Sequence, residues 1–196
     1  MKYWFLAVIS LAGSSAWADA REELNARLAA MEYLAADFTQ QVQGSRGEVI
    51  EQSRGIVRLL RPQFRWEVID PYPQVIVTED GQLKIYDPDL EQVTVRPLDE
   101  ALVDTPLALL TQDAVELGAD YAIEQLSPDS FRLHPSGIDA LFDEIVLEFG
   151  TQGLQAMVIR DHLGQSTDIR FDNFGERSMI QSSDFTLDVP PGTDVF

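Results

Sequence analysis

A mainly β fold of the α+β class is predicted for this 196-residue chain: one strongly curved antiparallel sheet with helices attached. Three observations predict it. After Phe38, short runs rich in Val, Ile, Leu, Tyr and Phe alternate with turn residues at intervals of roughly ten. Before Phe38, Leu24, Leu28, Met31 and Ala35 recur at helical spacing, and Leu34 widens the stripe. Between Pro97 and Asp113 the strand pattern gives way to two short helical stretches. A dozen strands do not make a stable flat sheet, so the sheet is expected to curl into a barrel or partial barrel around a core or a ligand.

The first eighteen residues read as a secretory signal. Lys2 gives a basic start, Trp4 to Leu11 an apolar stretch, and Ala16-Trp17-Ala18 a small-x-small cleavage site. Cleavage there takes eighteen residues from 196 and leaves 178, from Asp19 to Phe196, a length that suits a single domain. Asp19, with Glu22 three residues on, is placed to cap the helix. Strands are expected near 38–43, 48–52, 55–60, 64–69, 74–78, 83–86 and 91–95, then near 121–125, 131–134, 144–149, 154–160, 165–171 and 178–185. Asp80-Gly81 is a strong two-residue hairpin signal. Arg61-Pro62, Asp70-Pro71, Asp87-Pro88 and Ser127-Pro128 are turn pairs that proline confines to loops or strand ends.

The helical interruption has its own start signals. Asp99 is placed to cap Ala101-Leu102-Val103, and Thr105-Pro106 to open Leu107-Ala108-Leu109-Leu110. Helices this short do not hold in water alone, so their leucines must lean on something. A fixed plug on one face of the sheet and a movable cover over an apolar cavity both satisfy that need.

Charge and composition exclude several functions. Cleavage removes Lys2 and leaves 13 basic against 33 acidic side chains, a net charge of −20 that repels phosphate backbones and anionic headgroups. Nucleic acid is therefore not an expected partner. No cysteine is present, which removes disulfides, thiol catalysis, Cys-ligated metal and a lipidated N-terminal cysteine. After Ala18 no run approaches the ~20 apolar residues of a membrane helix. An exported, disulfide-free chain with 45% apolar residues points to a globular protein of the bacterial periplasm or the exterior.

No catalytic constellation stands out. His134 and His162 are the two histidines, one ending a strand before Pro135 and one in the turn Asp161-His162-Leu163-Gly164, and no Gly-x-Ser-x-Gly elbow accompanies them. Asp87, Asp89 and Glu91 alternate as calcium ligands do, without the glycine and distal glutamate of a twelve-residue calcium loop. The glycines sit singly in turns, never as Gly-x-Gly, so no dinucleotide or phosphate loop is present. A binding protein without cofactor or metal is expected.

The segment from Gly55 to Trp66 is the most unusual. On a strand, Val57, Leu59 and Arg61 share one face and Ile56, Arg58 and Leu60 the other, and both mix apolar with basic side chains. The period leaves open which face points inward. Phe64, Trp66 and Val68 then share a face, and Trp66 is the single tryptophan after Ala18.

These residues carry a resemblance over essentially the whole chain after Ala18. It runs from Phe38-Thr39-Gln40 through the segment Gly55 to Trp66, with Arg61-Pro62 and Phe64-x-Trp66, to Asp80-Gly81 and Tyr86-Asp87-Pro88-Asp89-Leu90-Glu91-Gln92-Val93. Thr105-Pro106 with Leu109-Leu110 and Asp161-x-x-Gly164-Gln165-x-Thr167 follow, then Phe185-x-x-x-x-Pro190-Pro191-Gly192-x-Asp194-Val195. In this order and spacing the chain resembles the LolA family of periplasmic lipoprotein carriers. The resemblance implies an incomplete antiparallel barrel covered by the N-terminal helix and a lid of short helices, with Leu98, Leu102, Leu107 and Leu110 on the lid. It implies that Arg61 latches the lid, Phe64 lies near the mouth, and Trp66, Val68, Val75 and Val77 line the cavity. The implied cargo is the acylated N-terminus of outer-membrane lipoproteins, received from an inner-membrane ABC-type release complex and delivered by a monomer to the outer-membrane receptor LolB. A periplasmic lipid sensor or small hydrophobic ligand binder of the same fold is the alternative.

Overall fold

The computed structural model describes residues 14–98, 108–111, 121–137 and 140–196. Helix α1 (Ser14–Ala30) leads into twelve strands: β1 (Tyr33–Gln43), β2 (Val49–Leu60), β3 (Gln63–Asp70), β4 (Gln74–Glu79), β5 (Gln82–Asp87) and β6 (Gln92–Pro97). After the short helix α2 (Ala108–Thr111) come β7 (Tyr121–Ser127), β8 (Ser130–Pro135), β9 (Phe142–Gly150), β10 (Gly153–Asp161), β11 (Ser166–Asp172) and β12 (Asp194–Val195). They form one sheet in the order β12-β6-β5-β4-β3-β2-β1-β11-β10-β9-β8-β7. The order is that of two meanders, β1–β6 and β7–β11, joined where β1 pairs with β11. β7 and β12 remain edges, so the barrel is incomplete.

The inner face of this sheet carries one apolar cluster drawn from β1–β3 and β7–β11. Across the central strands Phe38 stands opposite Phe171, Ala36 opposite Val57, and Leu59 opposite Phe64. Leu24 and Leu28 of α1 and Leu110 of α2 are buried in the same cluster, together with Phe131, Ile145 and Leu147 from the second meander. Helix α1 therefore caps the open side of the curl. It is fastened to the second meander by Arg21 Nη2, which donates to the Tyr121 carbonyl at 2.9 Å, and by Arg27. Arg27 donates to the Pro128 carbonyl and to Asp129 Oδ1, both at 2.9 Å, and lies over the Phe131 and Phe149 rings. The hydrogen bond that Arg27 donates to the Glu23 carboxylate chiefly raises the Arg27 pKa further above its ordinary range, so the clamp stays charged.

Several element boundaries differ from the sequence reading. Leu34 and Ala35 belong to β1, not to the helix, because Tyr33–Ala36 pair with Leu60–Val57 of β2. The alternation of an inward Leu34, Ala36 and Phe38 with an outward Ala35 overrides the helical preference of an alanine-rich run. In the full-length chain Asp19 lies inside helix α1, so a cap there requires that residues 1–18 be removed. The two strands expected at 48–52 and 55–60 are one long β2, with a register shift against β3 between Arg54 and Gly55.

The segment expected as a strand over 178–185 is instead two 3-10 turns, Arg177–Met179 and Ser182–Phe185. β11 already has β1 and β10 as neighbours, which leaves no edge for this segment to pair with. It crosses the outer face as a strap. Gly175 N donates to the Ala35 carbonyl at 2.7 Å, and the Asp184 carboxylate accepts from Gln181 N at 2.8 Å. Ile180 and Phe185 bury a second cluster with Ala35 and Val77, flanked by Leu60 and Leu187. The chain ends by laying β12 parallel to β6. The Asp80-Gly81 hairpin is as expected: both residues have positive φ, 53° and 73°, which glycine tolerates at no steric cost.

Candidate functional site

The inner face of the first meander is where the expected site residues meet. In β2, Val57 and Leu59 point inward and are fully buried, which answers the question the period left open. In β3, Phe64, Trp66 and Val68 follow on the same face, Phe64 fully within the core and the other two partly buried against it. The Phe38 ring stacks on the Trp66 indole with centroids 3.7 Å apart, and Phe171 meets the indole edge-on at 6.3 Å. Phe64 flanks the same indole at 6.4 Å. The buried Thr78 hydroxyl accepts from Phe64 N at 2.8 Å and holds the start of β3 against β4.

Val75 and Val77 are not part of this wall. The register pairs Val77 with Arg65 and Val75 with Glu67, which places both valines on the outer face. Val77 is buried there under the strap, beside Ile180 and Phe185. The β4 residue opposite Trp66 is Ile76. A one-residue parity error on a strand moves every side chain to the other face, and with valine and isoleucine alternating along β4 the composition does not reveal it.

Arg61 occupies the β2–β3 turn with Pro62, partly buried, and its N–H donates to the Glu32 carbonyl at 3.3 Å. That bond ties the turn to the junction between α1 and β1. Nearby, Pro62, Asp80, Gly81 and Leu98 line a pocket of about 280 Å³ with Ser182 and Phe185 of the strap. Leu98 N donates to the Gly81 carbonyl at 3.0 Å, so the chain leaves β6 beside the Arg61 turn. Of the other leucines expected on a lid, Leu110 is buried in the inner core, while Leu102 and Leu107 lie outside the described residues.

A larger pocket, about 720 Å³, lies elsewhere. Thr39, Gln41, Gln52, Arg54, Asp168 and Arg170 line it from the outward-facing positions of β1, β2 and β11. Its polar lining does not suit an acyl chain. The Asp87 carboxylate accepts from Asp89 N and Leu90 N, at 3.1 and 3.2 Å, and so closes its own turn. Neither histidine faces the aromatic wall: both turn toward Asp143 at the start of β9. Sequence reasoning missed Phe171 and the inward run Leu34, Ala36 and Phe38 as wall residues, although the alternation of that run was visible once β1 is started at Tyr33.

An apolar wall on the inside of an unclosed barrel, roofed by one helix, is the architecture of a protein that shelters apolar groups. The family model described as outer membrane lipoprotein carrier protein LolA matches residues 29–188, and the chain belongs to this family. A protein named outer-membrane lipoprotein carrier protein from Chromohalobacter salexigens is 39% identical over 178 residues, 89% of this chain and 85% of that one. Another of that name from Hahella chejuensis is 35% identical over 202 residues, 100% of this chain and 96% of the relative. The crystal structure of a LolA superfamily protein from Nitrosomonas europaea shares the fold with a TM-score of 0.51 at 11% identity, covering 89% of this chain and 99% of that one.

Proposed function

We propose that residues 1–18 are removed on export and that residues 19–196 form a periplasmic carrier of acylated outer-membrane lipoproteins. It takes them from an inner-membrane ABC-type release complex and delivers them to the receptor LolB. The observation that carries this reading is the continuous inner wall of Phe38, Trp66, Phe171 and Phe64 under α1 and Leu110. It is joined by membership of a family whose relatives are named lipoprotein carriers.

Energetics make such a carrier necessary. At ~0.8 kcal/mol per buried CH₂, a sixteen-carbon acyl chain carries roughly 12 kcal/mol of aversion to water. The closed structure has its wall stacked against itself and its cover, so acyl chains enter only where the cover lifts. Lifting exposes Leu24, Leu28 and Leu110, and the incoming chains re-cover the apolar surface. Loading and emptying are then close in free energy, as a carrier that must release its cargo requires. Arg61 is the latch in this scheme, Phe64 the first wall residue uncovered at the mouth, and the segment from Pro97 to Asp113 the lid. Nothing in the cycle calls for a catalytic group on this chain.

The test is release of an acylated lipoprotein from inner-membrane vesicles carrying the release complex, with the same polypeptide lacking its acyl groups as control. A soluble one-to-one complex with the acylated form alone supports the carrier. Equal capture of both forms, or capture of free fatty acid but not of lipoprotein, rejects it in favour of a polypeptide binder or a small-ligand carrier.

A further inference from the structure

The two histidines of this chain converge on one residue far from the aromatic wall. His134, in β8, points Nδ1 at the Asp143 carbonyl at 3.0 Å. His162, in the turn between β10 and β11, points Nδ1 at the Asp143 carboxylate and Nε2 at the Ala140 carbonyl. Carboxylate and carbonyl oxygens only accept, so each ring nitrogen of His162 must donate. A neutral imidazole has one N–H and satisfies one of these acceptors; only the imidazolium satisfies both. We infer that His162 is a proton-dependent clamp between the β10–β11 turn and the connection from β8 to β9.

The surroundings favour that form. The backbone hydrogen bond to Ala140 and then the Asp143 carboxylate raise the His162 pKa above its ordinary 6.5, with Asp161 adding a smaller Coulombic push. Asp161 is otherwise engaged within its own turn, accepting from Leu163 N and Gln165 N. On the neighbouring strands, Glu144 takes up Arg132 at 2.9 Å and Arg160 at 3.4 Å, and lies 4.0 Å from His134 Nε2. The chain neighbour Asp139 lies outside the described residues. Among the described groups, then, the carboxylate that pairs with His162 is Asp143.

The clamp has something to present. Leu141 is 67% exposed and Leu163 77% exposed, one on each of the two segments that His162 joins. A folded-state pKa above the unfolded value means that the clamp is complete below about pH 6.5 and is lost as the pH rises through the folded pKa. Protonation thus decides whether the two segments that carry these leucines are held together or move independently.

Nitrogen-15 NMR of the imidazoles tests this across pH 5–9, alongside amide hydrogen exchange of residues 140–144 corrected for intrinsic rates. Both His162 nitrogens should carry protons at pH 6.5, with a midpoint above that value. Exchange at residues 140–144 should speed up severalfold across the same midpoint. Asp143→Asn should bring the His162 midpoint back toward 6.5. His162→Gln should make the exchange pH-independent. A His162 midpoint at or below 6.5, or exchange at residues 140–144 of the parent protein that ignores the His162 titration, overturns the clamp.

Discussion

The Phe38 ring reaches across β2 to stack on the Trp66 indole, and it does so over Gly55. Phe38 pairs with Gly55 and Gly55 with Val68, so a side chain at position 55 would press on the Phe38 ring. A Cβ built there would lie 2.8 Å from Phe38 Cε1 and only 1.8 Å from the Glu67 carbonyl oxygen. The second of these contacts is with backbone, which does not yield. Gly55→Ala is therefore expected to cost about 3 kcal/mol or more, at the upper end for overpacking. Thermal melting checks it, and a melt within a degree or two of the parent would mean that β2 and β3 slide apart at little cost.

Trp66 should report on cargo. It is the only tryptophan after Ala18, it is partly buried, and three aromatic rings surround it. Seating an acyl chain against this wall must separate at least one of those rings from the indole. A saturating acylated ligand should shift its emission, and Phe38→Leu should reduce the shift. Emission unchanged at saturation, with binding verified independently, would place the acyl chains away from the β1–β3 wall.

Phe64 calls for a different test from the one a mouth residue suggests. In the closed protein it is only 2% exposed, in the core beside Leu59 and Thr78. Phe64→Glu would bury a charge and should unfold the domain or nearly so. Phe64→Ala should cost about 3–5 kcal/mol, the usual range for a buried ring. Phe64→Leu keeps most of the volume and should melt within about 1.5 kcal/mol of the parent, so that a loading defect in this variant reads on function. Normal loading by a stable Phe64→Leu protein would relieve Phe64 of any part in the mouth.

Arg27 should matter to the attachment of α1 more than its exposed charges imply. Its ion pairs with Glu23 and Asp129 are solvent-facing and contribute little. The bond to the Pro128 carbonyl and the contact with the Phe131 and Phe149 rings are what fix the helix to the β7–β8 turn. Arg27→Ala should destabilise by about 1–2 kcal/mol with weak salt dependence, and Arg27→Lys should recover part of it. A loss abolished by half-molar salt would assign the effect to the ion pairs instead.

That Phe64, Trp66 and Val68 share one face was legible in sequence because they alternate without interruption. Val75 and Val77 were not, because β4 reads Val-Ile-Val and either parity puts a branched apolar residue inside. What settles β4 is its register with β3 and the strap from Gly175 to Leu187, both of which are long-range pairings. The strap escaped for a related reason. Ser-Ser-Asp makes its own local hydrogen bonds, but the apolar residues around it read as a strand until β11 is seen to have two partners already. Asp80-Gly81 needed no such context, since a type I′ turn is specified by the two residues that make it.

In the proposed carrier cycle, Arg61 is the residue assigned the step from shelter to delivery. The turn it shares with Pro62 closes the end of the β2–β3 hairpin, tied to the Glu32 carbonyl and next to the exit of the chain from β6 at Leu98. A guanidinium there can donate up to five hydrogen bonds, enough for the orphan carbonyls at the end of a short helix. Bonds made only in the empty, closed state oppose loading and favour release. At about 1.5–3 kcal/mol for each charge-assisted bond, even one biases the two states by tenfold or more. Arg61→Leu removes the donor and makes the rim more apolar, so the variant should accept lipoproteins from the release complex normally and pass them on at least tenfold more slowly. Arg61→Lys should recover only part of the transfer, because a point charge does not reproduce the planar fork. The two steps are scored separately, as release from inner-membrane vesicles and as incorporation into vesicles bearing the receptor. Parental rates in the second step by Arg61→Leu would leave Arg61 a turn residue, and the latch would have to be sought among the other groups that border Leu98.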